Sequence, residues 1–274
     1  MNPRAIAVVT FHTFKDAART KWLWVFAATF FLLALNLPIL VLLTFRYLPP
    51  NYLDIYLSAL VTLSFPFLPL LSLPIGALAV VEERESGILS HMLSTPMSKS
   101  DLLLGKLFGL LLATTAVVML GYGAAAGLTF TTRVSRYGDV LDVGFAAAFL
   151  NAIMVCLSLL ISVLARRKAT ALGVAIFFWF FFSVFTNLGL LTVILNLTVG
   201  PAATVQVLFV DPVELARLMA VIILGTGDQL GSTGLTWVHV YGASAVPAIL
   251  AVMTVWFVGL FAGAVLIFRR QDVV

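Results

Sequence analysis

The densest group of chemically active side chains lies in one short segment, Val81–Ser100. It opens with three carboxylates and a guanidinium, at Glu82, Glu83, Arg84 and Glu85. After Gly87, apolar residues recur on one helical face at Ile88, Leu89, Met92 and Leu93, and Pro96 follows them. A charged start, an amphipathic turn and a Thr-Pro stop predict a small helix outside the membrane. Such a helix can occupy a cleft of a soluble partner and transmit the partner's movement to membrane spans.

Other arrangements that would indicate catalysis are missing from the sequence. His12, His91 and His239 are too scattered for a metal cluster, and no Ser/His/Asp arrangement is evident. Gly105-Lys106 lacks the earlier glycine of a phosphate-binding loop and is followed by leucine. The sequence therefore predicts no catalytic residues, no metal ligands and no cofactor of its own, and any ATP chemistry would come from another chain.

The elements that carry this segment must be membrane helices, because the composition excludes a soluble fold. The chain of 274 residues is 62% apolar and 10% charged, with a mean hydropathy of +1.11. Soluble domains are about 45–50% apolar and about 25% charged. About 20 apolar residues cross a bilayer. Six spans are predicted: Trp22–Phe45, Leu57–Val81, Leu102–Phe130, Val143–Ala165, Ala169–Leu197 and Ala245–Phe268.

The placement of lysine and arginine predicts the orientation of these spans. With both termini in the cytoplasm, 12 of the 16 basic residues lie inside. The four outside are Arg46, Arg133, Arg136 and Arg217. The positive-inside rule then favours a multi-pass protein of the inner (cytoplasmic) membrane. The net charge of +4 is assigned to anionic lipid beside the helix ends, and no nucleic-acid partner is expected.

Four further features complete the predicted all-α architecture. Residues 1–21 form an amphipathic, interfacial helix, with Val8, Phe11 and Phe14 on its apolar side. Pro66, Pro69 and Pro74 should kink or break the second span. Gly123 and Gly127 form a small-residue pair suited to close helix packing. A long outer connection, residues 198–244, contains a short apolar helix at Ala216–Leu224 and a glycine-rich turn.

The first cytoplasmic loop resembles that of the ABC-2 type permeases. The family reads Glu-x-x-x-Gly-Thr-Leu and then a Leu-x-Ser-x-Pro-like element. The matching residues are Glu83, Gly87, Leu89, Leu93, Ser94 and Pro96, with Ile88 where threonine is usual. The resemblance implies one transmembrane domain over residues 1–274, with residues 82–100 as its coupling loop. It also implies two copies of an ABC ATPase, which bind ATP and Mg, and a second copy of this chain.

Within that class, the second half resembles the permease subunits of nitrous-oxide-reductase maturation transporters. The likeness rests on an aromatic run at Phe177–Phe181 and on the segment Phe209–Leu218, where Asp211 stands for the family's asparagine. It implies a periplasmic partner protein and a role in copper-site assembly. The residues expected to face that partner are Asp211, Pro212, Glu214 and Arg217.

Three functions stay open at this point. The chain could export an unrelated substrate, such as a drug, lipid or polysaccharide. It could transmit force to a periplasmic partner without transporting anything. A less favoured hypothesis is an integral-membrane enzyme, for which outer residues such as Asp139, Asp142 and His239 show no recognisable ligand spacing.

Overall fold

The fold is taken from a computed structural model of the chain, which describes residues 2–44, 52–94, 97–131, 137–185, 208–225 and 231–271. Every regular element among these residues is helical. The first half contains α1 (Pro3–Arg19), α2 (Lys21–Thr44), α3 (Tyr52–Ser64), α4 (Phe67–Leu78), α5 (Val81–Glu85), α6 (Ile88–Leu93) and α7 (Lys99–Thr131). The second half contains α8 (Tyr137–Leu164), α9 (Lys168–Phe180) with a π-helical turn (Phe181–Phe185), α10 (Pro212–Leu224), α11 (Gly231–Tyr241), a 3₁₀ turn (Gly242–Ser244) and α12 (Ala245–Arg270).

Several of these helices are long and apolar enough to cross a bilayer. Within the described residues there are four such stretches: Asp54–Glu85, Lys99–Gly127, Gly138–Leu164 and Trp237–Arg270. Shorter apolar helices cover Lys21–Leu33 and Lys168–Val184. The fifth predicted span continues past Phe185 into residues outside the described ranges. The chain is a multi-pass membrane protein whose described elements are all helical, and the full count of six spans stays a prediction.

The second span is broken at its prolines, as the sequence predicts. Helix α3 ends at Ser64 and α4 resumes at Phe67, with Pro66 between them. Proline cannot donate a backbone hydrogen bond, so Pro74 leaves the carbonyl of Leu70 without its helical donor. The indole of Trp22 donates to that carbonyl at 3.4 Å. The carbonyl of Pro66 accepts bonds from the Trp179 indole at 3.0 Å and the Ser183 hydroxyl at 3.1 Å.

A polar seam along α8 holds the broken helix in place. Asn151 is fully buried and accepts a hydrogen bond from Ser72 of α4. Its amide donates to the hydroxyls of Thr114 and Thr115 on α7, at 2.9 and 3.1 Å. All of these hydrogen-bonding groups therefore satisfy one another, as burial away from water requires. This seam joins α4, α7 and α8 at the centre of the bundle.

Close packing along the same seam depends on a glycine. A Cβ atom at Gly76 would lie 1.8 Å from the hydroxyl oxygen of Ser158. The small side chain of α8 and the bare backbone of α4 therefore interlock, which is how membrane helices approach closely. One turn further on, the Ser162 hydroxyl accepts hydrogen bonds from the backbone N–H groups of Val80 and Val81, at 2.8 and 3.0 Å.

The amphipathic helix α1 packs on α7 through glycines that the sequence analysis did not single out. Cβ atoms at Gly105 and Gly109 would lie 2.6 Å from Val9 and from the Thr10 carbonyl oxygen, respectively. Helix α1 thus buries one face on α7. Val8 and Phe11 remain 68% and 69% exposed on another face, as an interfacial helix requires.

Close packing within the chain, predicted for Gly123 and Gly127, is not found among the described residues, and a role of this pair in a dimer seam stays a prediction. A Cβ atom at either position would meet no atom of the described residues within 4 Å. Among the described residues, the α7 glycines that admit another helix's backbone are Gly105 and Gly109, where α1 crosses, whereas Gly121 makes room for the Phe30 ring of α2.

We expect Gly109→Ala to loosen α1 from the bundle. The new methyl group would overlap the Thr10 carbonyl oxygen, and overpacking of this kind costs about 1–3 kcal/mol. Thermal unfolding in detergent should show the loss, with faster proteolysis within residues 2–20. The matched control is Gly123→Ala on the same helix, where the added methyl meets open space and alanine favours the helix. Equal destabilisation by both substitutions would contradict the packing argument.

Candidate functional site

The candidate site is the charged end of the bundle, where α4 continues into α5. Helix α4 ends at Leu78, and a turn at Ala79–Val80 leads directly into Val81–Glu85. Because the Ser162 hydroxyl holds both N–H groups of this turn, α5 begins at a defined position beside the end of α8. Its four charged side chains, Glu82 to Glu85, are thereby brought against neighbouring helices.

Glu83 forms the most buried ion pair of this end. Its Oε1 atom lies 2.6 Å from Nζ of Lys106 on α7, whose side chain is only 4% exposed. The same Lys106 ammonium donates to the carbonyl of Ala79 at 2.7 Å, so it also satisfies the end of α4. The second Glu83 oxygen is buried and has no hydrogen-bond partner among the described residues. Lys106 therefore holds the junction of α4 and α5 against α7.

Glu82 and Glu85 both bond to the beginning of α9. Glu82 pairs with Nζ of Lys168 at 2.8 Å, with both side chains substantially exposed. Glu85 accepts a hydrogen bond from the backbone N–H of Lys168 at 2.8 Å. A helix N-terminus has unsatisfied N–H groups and a partial positive charge, so a carboxylate is favourable there. These two contacts join α5 to α9.

Arg84 bonds to the end of α8 and to the chain beyond α12. Its guanidinium donates to the carbonyls of Val163 and Ala165, at 3.1 and 2.7 Å, which an α-helix C-terminus leaves unsatisfied. It also donates to the side-chain oxygen of Gln271 at 2.7 Å. Lys99, which begins α7, donates to the Gln271 carbonyl. One arginine thus connects α5, α8 and the residue that follows α12.

The segment after α5 is exposed and changes direction at a glycine. Gly87 has φ = +74°, a left-handed conformation that residues with a side chain rarely adopt. The single small helix predicted here is therefore two helical turns, α5 and α6, separated by Gly87. Leu89 is buried, whereas Ile88 is 51% exposed. Pro96 lies outside the described residues, and the side chain of Leu93 is not described.

The structure thus divides the residues predicted to receive a partner into two groups. Glu82, Glu83, Arg84 and Glu85 bond to the chain's own helices. Ile88 and the exposed turn at Gly87 are available to another protein. The sequence reasoning missed Lys106, Lys168, Ser162 and Gln271 as partners of α5. The positive charges of Lys106 and Lys168 beside span ends were attributed to lipid, and Ser162 and Gln271 were not singled out.

The outer residues predicted to face a periplasmic partner form the start of α10 and are mainly buried. Asp211 caps the helix by accepting a hydrogen bond from the Val213 N–H at 2.8 Å. Glu214 is 7% exposed and pairs with Arg217 through both carboxylate oxygens. Pro212 occupies the first helical position, where its missing N–H costs nothing. Contact with a partner here stays a prediction.

Burial changes the acid–base behaviour of Asp211. The side chain is 1% exposed, and desolvation, followed by the neighbouring Glu214 carboxylate, raises the pKa of Asp211 to about 7. One carboxylate oxygen has no partner among the described residues.

The short helix expected at Ala216–Leu224 is present but begins at Pro212, because the Asp-Pro pair supplies a cap and a helix start.

No group of three or more potential metal ligands occurs among the described residues. The arrangement at the charged end instead favours a mechanical role. Short ion pairs and capping bonds join a surface turn to α7, α8 and α9, so a displacement of the turn would be passed to all three helices.

Comparisons with known proteins identify the family of the chain. A family model described as an ABC-2 family transporter protein matches residues 7–273. The chain is 28% identical over 213 residues to "Probable ABC transporter permease protein NosY" of Pseudomonas aeruginosa, covering 74% of this chain and 77% of that protein. It is 26% identical over 228 residues to the protein of the same name from Stutzerimonas stutzeri, covering 79% and 81%.

We expect Lys106→Met to destabilise the chain by about 3 kcal/mol, because it leaves the Glu83 carboxylate buried without its cation. Chemical or thermal unfolding in detergent measures the change. The double variant Lys106→Met/Glu83→Gln should recover most of the loss, since no uncompensated charge remains. Lys168→Met, which removes a largely exposed pair, is the control and should cost less than about 1 kcal/mol. A single-variant loss without recovery would contradict this account.

We expect Asp211→Asn to remove a pH dependence of stability. The raised pKa means that the folded chain binds the proton more tightly than the unfolded chain, so stability falls as pH rises from about 4 to about 7. Asparagine keeps the N-cap acceptor but does not ionise. At pH 8 the variant should be more stable by on the order of 2 kcal/mol, and the difference should shrink towards pH 4. A difference in stability between the variant and the original chain that stays the same at every pH would contradict this.

Proposed function

We propose, because the chain belongs to the ABC-2 transporter family, that it is the membrane subunit of an ATP-driven complex in which α5 and α6 receive the movement of a separate ATPase. In this proposal the chain performs no catalysis, and ATP and Mg bind to the ATPase. Two copies of the ATPase act with two copies of this chain.

The observation that carries the proposal is the division of the α5–α6 segment into bonded and exposed parts. The four charged residues of α5 bond to three helices of the bundle: Glu83 to α7, Arg84 to the end of α8, and Glu82 and Glu85 to the start of α9. Ile88, which begins α6, presents an exposed apolar side chain. An exposed anchor that fills a partner's pocket typically supplies much of the binding energy of an interface. Binding at Ile88 and transmission through α5 would therefore be separate steps of one coupling.

The proposed topology has six spans, an inner-membrane location and both termini in the cytoplasm. The distribution of lysine and arginine supports it, because 12 of 16 lie on the proposed inner side. The charged end then faces the cytoplasm, where an ATPase is available. Helix α10 and the connection around it face the opposite side.

The more specific proposal is a role in copper-site maturation of nitrous oxide reductase, together with a periplasmic partner protein. It rests on the two relatives named NosY and on the likeness at Phe209–Leu218. Exposed residues at the approach to α10, Phe209 and Val210, are the surface we assign to that partner. Export of an unrelated substrate is the alternative, which transport of labelled candidates into proteoliposomes would favour.

The variant Ile88→Asp tests docking separately from folding. A desolvated charge in the ATPase cleft should weaken binding by about tenfold or more, so the ATPase should no longer co-purify and coupling should be lost. Ile88→Leu keeps an apolar side chain of similar size and is the control. Both variants should melt at the same temperature as the original chain, because the side chain is exposed. Unchanged co-purification of the ATPase with Ile88→Asp would disprove the assignment.

Charge reversal at Glu83 or Glu85 is a less direct test. Both carboxylates accept hydrogen bonds from the chain's own helices, so reversal would disturb the fold along with coupling.

The variant Arg84→Lys tests transmission. We expect it to bind the ATPase as before, but ATP hydrolysis should produce less of the complex's output. Lysine cannot reproduce the several directed bonds of the guanidinium.

A further inference from the structure

Two cavities beside the charged end join into one groove with a polar part and an apolar part. The polar part, of about 640 Å³, lies between α1 and the α4–α6 segment. The apolar part, of about 540 Å³, runs between α2, α4 and α9. Thr20, Ile75 and Leu78 line both. A groove with a charged lining at one end and an apolar lining at the other matches the two ends of an amphiphilic ligand.

The polar part presents charges of both signs. Lys106 and Lys168 line it together with Glu82, Glu83 and Asp16. An ammonium has three donors, and two of those on Lys106 are used by Glu83 and the Ala79 carbonyl. The second carboxylate oxygen of Glu83 accepts no bond from the described residues. This end thus keeps both donors and an acceptor for a ligand that carries an anion and a cation.

The indole N–H groups that line the apolar part are bonded to the protein and are not available to water. Its two tryptophans direct their indole N–H groups to backbone carbonyls, Trp22 to Leu70 and Trp179 to Pro66. Apart from Thr20, whose hydroxyl donates to the Asp16 carbonyl, the remaining lining is apolar, from side chains such as Leu70, Leu172 and Ile176. Between Leu172 and Trp179 the groove follows α9 for about 10 Å. A hydrocarbon chain is the ligand that such a surface would accept.

Features that mark the membrane–water interface lie beside the junction of the two parts. The two parts of the groove meet at Thr20, between the amphipathic helix α1 and α2. The exposed faces of Phe11 and Trp24 flank this elbow, and such aromatic side chains mark the membrane–water interface. A phospholipid of the adjacent leaflet could therefore enter sideways, with its headgroup between α1 and α5 and one acyl chain along α9.

We propose that this groove binds a zwitterionic phospholipid with a primary ammonium headgroup, of the phosphatidylethanolamine type. Lys168 and Lys106 face its phosphate, and Glu83 and Asp16 face its ammonium. A choline headgroup lacks N–H donors and would leave the buried Glu83 oxygen unsatisfied, at a cost. A glycerol headgroup lacks the cation altogether. The bound lipid would fill the space between α1 and the coupling segment, and its binding does not depend on which substrate or partner the complex serves.

The test is lipid retention by the full-length chain, purified with any subunits that accompany it. The protein is exchanged into detergent containing equal amounts of phosphatidylethanolamine, phosphatidylcholine and phosphatidylglycerol with identical acyl chains. Native mass spectrometry then counts the lipids that remain bound after gel filtration. We expect about one tightly held phosphatidylethanolamine per chain, preferred about tenfold over the other two. Equal retention of the three lipids, or preference for phosphatidylglycerol, would overturn the proposal.

Two matched pairs of variants locate the site. Leu172→Trp fills the apolar part and should release the lipid, whereas Val174→Trp adds the same bulk to α9 outside the groove and should retain it. Lys168→Gln should reduce binding of all three phospholipids several-fold, whereas Arg167→Gln, beside it but outside the lining, should not. Retention unaffected by both Leu172→Trp and Lys168→Gln would overturn the proposed location. Co-purification of an ATPase, recorded in the same samples, reports separately on the proposed function.

Discussion

The hydrocarbon interior supplies no water, so every backbone polar group that the chain exposes there must find a partner within the protein. This constraint is sharpest at the span that prolines break into α3 and α4. The Leu70 carbonyl, which Pro74 leaves without its helical donor, and the Pro66 carbonyl at the break accept bonds from indole and hydroxyl donors of α2, α9 and the π-helical turn. The break is thereby stabilised by three neighbouring elements. The positions of Trp22 and Trp179, and the groove between them, follow from it.

Helix α4 also links the interior of the bundle to the charged end. Asn151 and Ser162 of α8 fix α4 and the turn that follows it, and the chain then enters α5 without a flexible link. Because Arg84 stands only one or two residues from the glutamates of α5, they cannot pair along the helix, and these side chains instead reach α7, α8 and α9. The result is a compact set of bonds in which one surface turn is connected to most of the bundle. In the proposed function, this connection would carry the movement of an ATPase to the membrane helices.

Sequence reasoning performed best where a property depends on local composition. The apolar runs, the proline break, the amphipathic α1 and the short outer helix are all present among the described residues. It performed less well where the answer depends on which helices are neighbours. Gly123 and Gly127 were favoured over Gly105 and Gly109, although the two pairs have the same spacing. Asp211 and Glu214 were read as surface residues, yet they are buried at the start of α10.

The sequence by itself determined that lipid surrounds this chain, roughly where its helices run, and which loop resembles a coupling element, because hydropathy and short motifs are written along the chain. Only the tertiary structure decided what the charges of that loop do. Glu83 and Lys106, or Arg84 and Gln271, are far apart in sequence, and their pairing depends on how α4, α7, α8 and α12 pack together. The direction of a charged side chain, towards a partner protein or towards its own helices, is a property of that packing, since the same residue types serve both purposes.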